Sequence, residues 1–269
     1  MWAADVPTMA YMSTRSGSYE IWLHRAGQVD APLLMSTDLG ATHWLFAPSP
    51  SPNGTRVIFQ AIEKDAGSSS LWMVSVADGA LERVTNGVEQ ERAGAWSSDG
   101  RWYAFSTTEP DGSHVLKKVR TTGRASPETV LAGLGAIPIP PAWSPDGEWI
   151  LVASGGLKLI AAQGAEVRDL GIEDSPCVFA RAEDLIYCLR APQRNGMRSW
   201  VALDFDGNVV RNIGSVPFAR APADRGPDTL APTLTFSMSP DGNAVTYSTL
   251  ANTTADLWLM EGLSGVELP

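Results

Sequence analysis

Hydrophobic residues along this chain recur in short runs at every second position, and the runs are broken by Gly, Pro, Asn and Asp. Trp149, Leu151 and Ala153 form one such set, the period-2 pattern of a strand. A polar loop follows, then a second hydrophobic run that often carries Trp: EIWLH at 20–24, LWMV at 71–74, SWVAL at 199–203 and DLWLM at 256–260. Next comes a Gly turn (Gly27, Gly79, Gly123, Gly164, Gly207, and Gly262 or Gly265), and a further strand such as LERVT at 81–85 or NVVRNI at 208–213. No unit contains an uninterrupted helical pattern, so the prediction is all-β.

The pattern repeats. APSPSPNGTRVIFQA at 47–61, GAWSSDGRWYAFST at 94–107, PPAWSPDGEWILVAS at 140–154 and FSMSPDGNAVTYST at 236–249 align on Gly54, Gly100, Gly147 and Gly242. Phe59, Phe105, Val152 and Tyr247 then share a column, as do Gln60, Ser106, Ala153 and Ser248. Two degenerate copies complete the set. SPCVFARAEDLIYCLR at 175–190 places Ala182 in the Gly column, and MWAADVPTMAYMST at the start places Asp5 over Asp146. Six copies about 47 residues apart indicate a repeat architecture. Four antiparallel strands per unit, repeated radially, make a propeller blade. The expected fold is a six-bladed β-propeller of four-stranded antiparallel blades in a single domain over 1–269. Blades fall near 1–41, 42–88, 89–135, 136–173, 174–216 and 230–269, with an insertion at 217–229.

Asp146 could be read as a reactive carboxylate or as a turn residue. Asp and Asn bond locally to backbone N–H, Gly supplies positive φ, and a preceding Pro presets φ. Equivalent copies at four sites cannot all be one active site, which favours the turn.

WSPDG, SSDG, SPNG and the second SPDG, each followed by hydrophobic strands, resemble the TolB-type, WD40-like propeller repeat. The resemblance covers essentially the whole chain. It implies the six-bladed propeller found in TolB, in the caps of prolyl oligopeptidase-type peptidases and in sensor tails of bacterial regulators and kinases. The motif is structural and carries over no catalytic residue. The copy at 175–190 lacks Pro-Asp-Gly and the first lacks Gly. The first copy opens already at the Trp of its motif and GVELP ends in or after a fourth strand, so a domain of a longer chain is the expectation.

Composition narrows function mainly by exclusion. A net charge of -10 and a single short basic string, LKKVR at 116–120, argue against nucleic acid. No apolar run reaches the roughly 18 residues of a membrane-spanning helix. The start has neither the basic nor the apolar region of a secretory signal, which leaves both a cytoplasmic chain and an exported bacterial one with its signal removed.

Candidate chemistry is sparse. GLSG at 262–265 is not the G-x-S-x-G of a nucleophile elbow, and the repeats leave no room for a hydrolase domain. His24, His43 and His114 lie in different repeats, so no metal set is formed, and LDFDGN at 203–208 lacks the ligands of a calcium loop. No catalytic residue and no cofactor are expected. Cys177 and Cys188 occupy a column pair of small residues. They read first as small buried thiols, with a cross-strand disulfide as the alternative in an exported protein.

Function is therefore sought in irregular loops on a rigid scaffold. Loops before each first strand and between second and third strands share the channel mouth. There the candidates are Thr42, His43, Trp44, Glu91, Arg92 and Asp174, beside Glu89, Pro138, Pro140 and Glu173. Loops at 62–70, 107–113 and 190–198 rim the mouth. The stretch PFARAPADRGPDTLAP at 217–232, with Phe218, Arg220, Asp224 and Arg225, is a second candidate, either a binding loop or a surface spacer. The expectation is a non-enzymatic module of a bacterial sensor, regulator or envelope protein that binds a protein, peptide or small polar ligand. Alternatives are the gating propeller of a prolyl oligopeptidase-like hydrolase and a metal-dependent enzyme working in the channel.

Overall fold

The computed structural model describes residues 3, 5–13, 19–25, 27–32, 37–87, 89–123, 125–137, 139–173, 175–180, 183–192, 197–217, 236–238, 244–251 and 254–261. Among these, the strands fall into consecutive antiparallel sheets along the chain. The first sheet holds β1 (Thr8–Ser13), β2 (Glu20–Arg25) and β3 (Ala31–Pro32), and a short helix, α1 (Thr37–Thr42), follows it. The second holds β4 (His43–Pro50), β5 (Arg56–Glu63), β6 (Ser69–Ser75) and β7 (Leu81–Arg83). In the third, β8 (Gln90–Glu91) and β9 (Ala95–Trp96) together form the first strand, beside β10 (Trp102–Thr108), β11 (His114–Arg120) and β12 (Glu128–Leu134). The fourth holds β13 (Ala142–Trp143), β14 (Trp149–Ala153), β15 (Leu157–Ala161) and β16 (Val167–Asp169). The fifth holds β17 (Cys177–Phe179), β18 (Ile186–Pro192), β19 (Met197–Leu203) and β20 (Val209–Pro217). The last holds β21 (Phe236–Met238), β22 (Ala244–Ala251) and β23 (Thr254–Glu261).

Period-2 alternation explains how these sheets join. Successive side chains on a strand point to opposite faces, so each strand serves two neighbours. Val57 and Phe59 pack with Ala10, Ile21 and Leu23 of the first sheet. Ile58, between them, packs with Trp96, Tyr103 and Phe105 of the third. Ile150 and Val152 meet Ala104 and Leu116 of the third sheet, whereas Leu151 and Ala153 meet Phe179, Ile186 and Val201 of the fifth. The first strands also touch in order: β4 reaches β1 and β9, β13 reaches β9 and β17, and β17 reaches β21. Face-to-face sheets with first strands in succession constitute a β-propeller.

The Asp-Gly segments are turns. Ser144 Oγ accepts the Trp149 N–H at 2.9 Å and donates to Asp146 Oδ1 at 2.5 Å. The same Oδ1 accepts the Glu148 N–H at 2.9 Å, and the Gly147 N–H reaches the Ser144 carbonyl at 3.0 Å. Gly147 sits at φ 75°, a conformation that costs a side-chain-bearing residue about 1–2 kcal/mol. Ser97–Asp99 and Ser51–Asn53 repeat the arrangement one and two sheets earlier. The motif Trp serves the joint between sheets: Trp143 Nε1 donates to the Ala95 carbonyl at 3.1 Å, and Trp96 Nε1 to the Ser49 carbonyl at 2.8 Å.

Two expectations change. Helix α1 occupies a place expected to be strand and loop. Lys64 Nζ donates to the Gly40 and Ala41 carbonyls at 3.1 and 2.7 Å, satisfying helix-end acceptors that local sequence leaves open. Cys177 and Cys188 are not free thiols but a disulfide, with Cα atoms 4.2 Å apart. Their residues pair directly across β17 and β18, and both are buried.

Candidate functional site

The start of β4, where the mouth was expected, is built from α1 outward. Thr42 is exposed and its Oγ1 lies 2.8 Å from His43 Nδ1. His43 starts β4, half-buried and opposite Glu63, and Trp44 next to it is 38% exposed. A Trp in that state offers a flat apolar surface with a donor at its edge. Phe46 and Ser49 flank a register irregularity in β4, where Ala47 takes φ 43°, the sole positive φ of a non-Gly residue among the described residues. Such a bulge re-aims the strand.

Glu91 is placed differently from Trp44. It is 3% exposed and points into the second sheet, where Oε2 accepts from Thr85 Oγ1 and from the Leu71 N–H. Its own carbonyl accepts from Gln60 Nε2 at 2.9 Å and from Ser69 Oγ. Burial is the largest influence on this carboxyl and pushes it above the usual carboxylate range, against the hydrogen bonds from Thr85 and Leu71. Glu91 thus fastens β8 to the neighbouring sheet and presents no carboxylate to solvent. Arg92, one residue on, is exposed and is fixed through its backbone, whose N–H donates to the Ser106 carbonyl at 2.8 Å.

The surrounding loops are tied together by residues that sequence reasoning passed over. Lys117 Nζ binds Glu89 and lies 3.3 Å from Glu109 Oε1, which also accepts from Thr107 Oγ1 at 2.9 Å. This joins the loop before β8 to the loop at 107–113. The string LKKVR had drawn attention to Lys117 only as a basic run, and its carboxylate partners come from loops that no periodicity aligns. On the fifth sheet, Arg190 grips Glu173 with two bonds of 2.6 and 2.7 Å. Pro140 is half-buried. Asp174, Pro138, Phe218, Arg220, Asp224 and Arg225 lie outside the described residues. Elsewhere, His24 Nδ1 and Tyr11 OH both bond Asp30, each at 2.7 Å. His114 Nδ1 is 3.3 Å from Thr108 Oγ1.

Among the described residues no three His, Cys, Asp or Glu side chains come together to hold a metal ion, and no helix is long and apolar enough to cross a membrane. The Asp204–Asn208 segment is a turn: Asp204 Oδ1 accepts the Asp206 and Asn208 N–H groups at 3.0 and 2.8 Å. The residues expected at the mouth therefore offer an exposed indole, an imidazole, an exposed guanidinium and scattered carboxylates.

No family model matches the chain. The uncharacterized peptidase YuxL of Bacillus subtilis (strain 168) is 30% identical over 124 residues, which are 45% of this chain and 19% of that protein. TolB from Acinetobacter baumannii superposes with a TM-score of 0.72 at 14% identity, over 95% of this chain and 61% of that one. A structure from work on two prolyl endopeptidases gives a TM-score of 0.60 at 15% identity, over 100% of this chain and 42% of that one. The chain has a TolB-like β-propeller fold. It spans less than two thirds of the length of each of these proteins.

Proposed function

We propose that the chain is a six-bladed propeller acting as a non-enzymatic binding module of a larger bacterial sensor, regulator or envelope protein. Its mouth takes a protein, peptide or small polar ligand. The observation that carries this reading is Trp44, an indole left 38% exposed at the start of a first strand whose other end is closed by the Ser51–Asn53 turn. Exposed aromatic and Arg side chains on a rigid frame are the usual anchors of recognition. The loop at 217–232 is proposed as an accessory contact.

Peptide selection from a displayed library on the immobilised chain tests the idea. Peptides enriched on the native chain are expected to lose at least tenfold in affinity on the W44A/R92A variant. Equal binding to both, with unfolding midpoints matched, overturns the mouth as the site. A second reading, the gating propeller of a peptidase, is favoured by the likeness to YuxL and to the prolyl endopeptidase structure. A natural coding sequence that continues into an α/β-hydrolase domain supports it, and one that continues into a kinase or DNA-binding domain opposes it.

A further inference from the structure

The fifth sheet departs from the three before it in two linked ways. Its first turn reads ARAEDL at 180–185, without the Ser-x-Asp/Asn-Gly that holds the turns at 51–54, 97–100 and 144–147. Its first two strands are also paired two residues further along. Ser49 faces Ile58, Ala95 faces Ala104 and Ala142 faces Leu151, but Cys177 faces Cys188. A shift by an even number leaves every side chain on its own face, so the apolar joint with the fourth sheet survives while the two sulfurs are brought together.

β17 is three residues long, against two each for β9 and β13. Around it the Ala180 N–H donates to the Leu185 carbonyl at 2.8 Å and the Leu189 N–H to the Pro176 carbonyl at 3.0 Å. Without the Ser–Asp turn, β17 is held against β18 by this backbone pairing, by apolar packing and by the sulfur bridge.

We propose that Cys177–Cys188 is a redox-sensitive lock on β17, standing in for the missing turn motif. Oxidised, it fixes the first strand of the fifth sheet and the segment leading into it, where Glu173 is held by Arg190. A dithiol opens the lock. One of its thiolates attacks a cysteine sulfur and breaks the S–S bond, and its second thiolate displaces the mixed disulfide. Two electrons and two protons pass to the cysteines, leaving two thiols on the protein and a cyclic disulfide on the reductant. Cys177 is 8% exposed and Cys188 fully buried, so attack follows separation of β17 from β18. The lock closes in compartments that permit disulfides and stays open where thiol pools keep cysteine reduced. None of this depends on what the mouth binds.

Hydrogen exchange read by mass spectrometry tests the lock, on the air-oxidised chain and on the chain held in dithiothreitol. Denatured and unreduced, the oxidised chain is expected to show no reactive thiol. On reduction, exchange at 177–180 and at Leu189 is expected to rise at least tenfold, with β5, β10 and β14 unchanged. A C177A/C188A variant is expected to match the reduced chain without dithiothreitol. Two titratable thiols in the oxidised chain overturn the proposal. So does unchanged exchange at β17 on reduction, or loss of protection in all sheets together. Should the double variant fail to fold, the dithiothreitol series on the native chain decides alone.

Discussion

The two ends of the first strands solve the same problem in opposite ways. At the Asp-Gly end, polar groups are answered within five residues: Ser144 and Asp146 take the N–H groups of Trp149 and Glu148, and Ser97 with Asp99 does the same for Trp102 and Arg101. Burial pushes Asp99 upward, yet the Ser97 hydroxyl and the Arg101 N–H and guanidinium outweigh it and hold the carboxyl below its ordinary range. At the opposite end, the answers come from far along the chain: Lys64 to the end of α1, Lys117 to Glu89, Gln60 to the Glu91 carbonyl. Side chains such as Trp44 and Arg92 are left outward. Local closure makes one end repetitive. Long-range closure lets the other end vary, and variation is what recognition needs.

The sharpest way to break the comparison is at Trp96, which is 7% exposed, stands edge-on to Tyr103 at 5.8 Å and bonds the Ser49 carbonyl. Trp96→Ala is expected to cost about 3–5 kcal/mol in a denaturant titration. Ser144→Ala leaves the Trp149 N–H without its acceptor and is expected to cost about 1–3 kcal/mol. Gly147→Ala, with φ at 75°, is expected to cost about 1–2 kcal/mol by the same measurement.

Glu91 gives a pH signature at the mouth end. Its folded carboxyl titrates above the unfolded one, so the folded state binds the proton more tightly. The stabilisation that this provides is full below the unfolded carboxylate range and is lost as pH rises through the folded value. Relative to Glu91→Gln, the native chain is therefore expected to lose denaturant midpoint as pH rises above the ordinary carboxylate range, and a constant difference refutes the assignment. Trp44→Ala is expected to change stability by no more than about 0.5 kcal/mol while removing ligand binding. A large loss of stability there makes Trp44 structural and erases the contrast between the ends.

The strands, the Asp-Gly turns and the face-to-face architecture were legible because they follow from local rules that recur with the repeat. Period-2 apolar positions set the sheets, and Gly with Asp or Asn set the turns. Placing His43 and Trp44 at the start of a first strand needed only the repeat spacing. What escaped depends on contacts between distant segments. Glu91 looked like a mouth carboxylate because it falls in a loop before a first strand, but whether it faces solvent or Thr85 is decided by how β8 meets the second sheet. The disulfide was legible only as the alternative to free thiols, for a related reason. The repeat alignment sets Cys188 level with Ala153, and in the fourth sheet Ala142 faces Leu151 rather than Ala153. Only the shifted pairing of the fifth sheet makes the two cysteines direct partners. Helix α1 depends on a lysine more than twenty residues downstream.

The alternation along β5, β10 and β14 also decides how this chain can be cut. Because Ile58 belongs to one joint and Phe59 to the next, the second sheet keeps no private core among the described residues. Dividing the chain between the third and fourth sheets would bare Ala104 and Leu116 on one piece and Ile150 and Val152 on the other. Deletion of whole repeats is thus expected to yield insoluble fragments. Two such halves expressed together should instead find each other and rebuild the joint, so the propeller is better suited to being split and complemented than to being shortened.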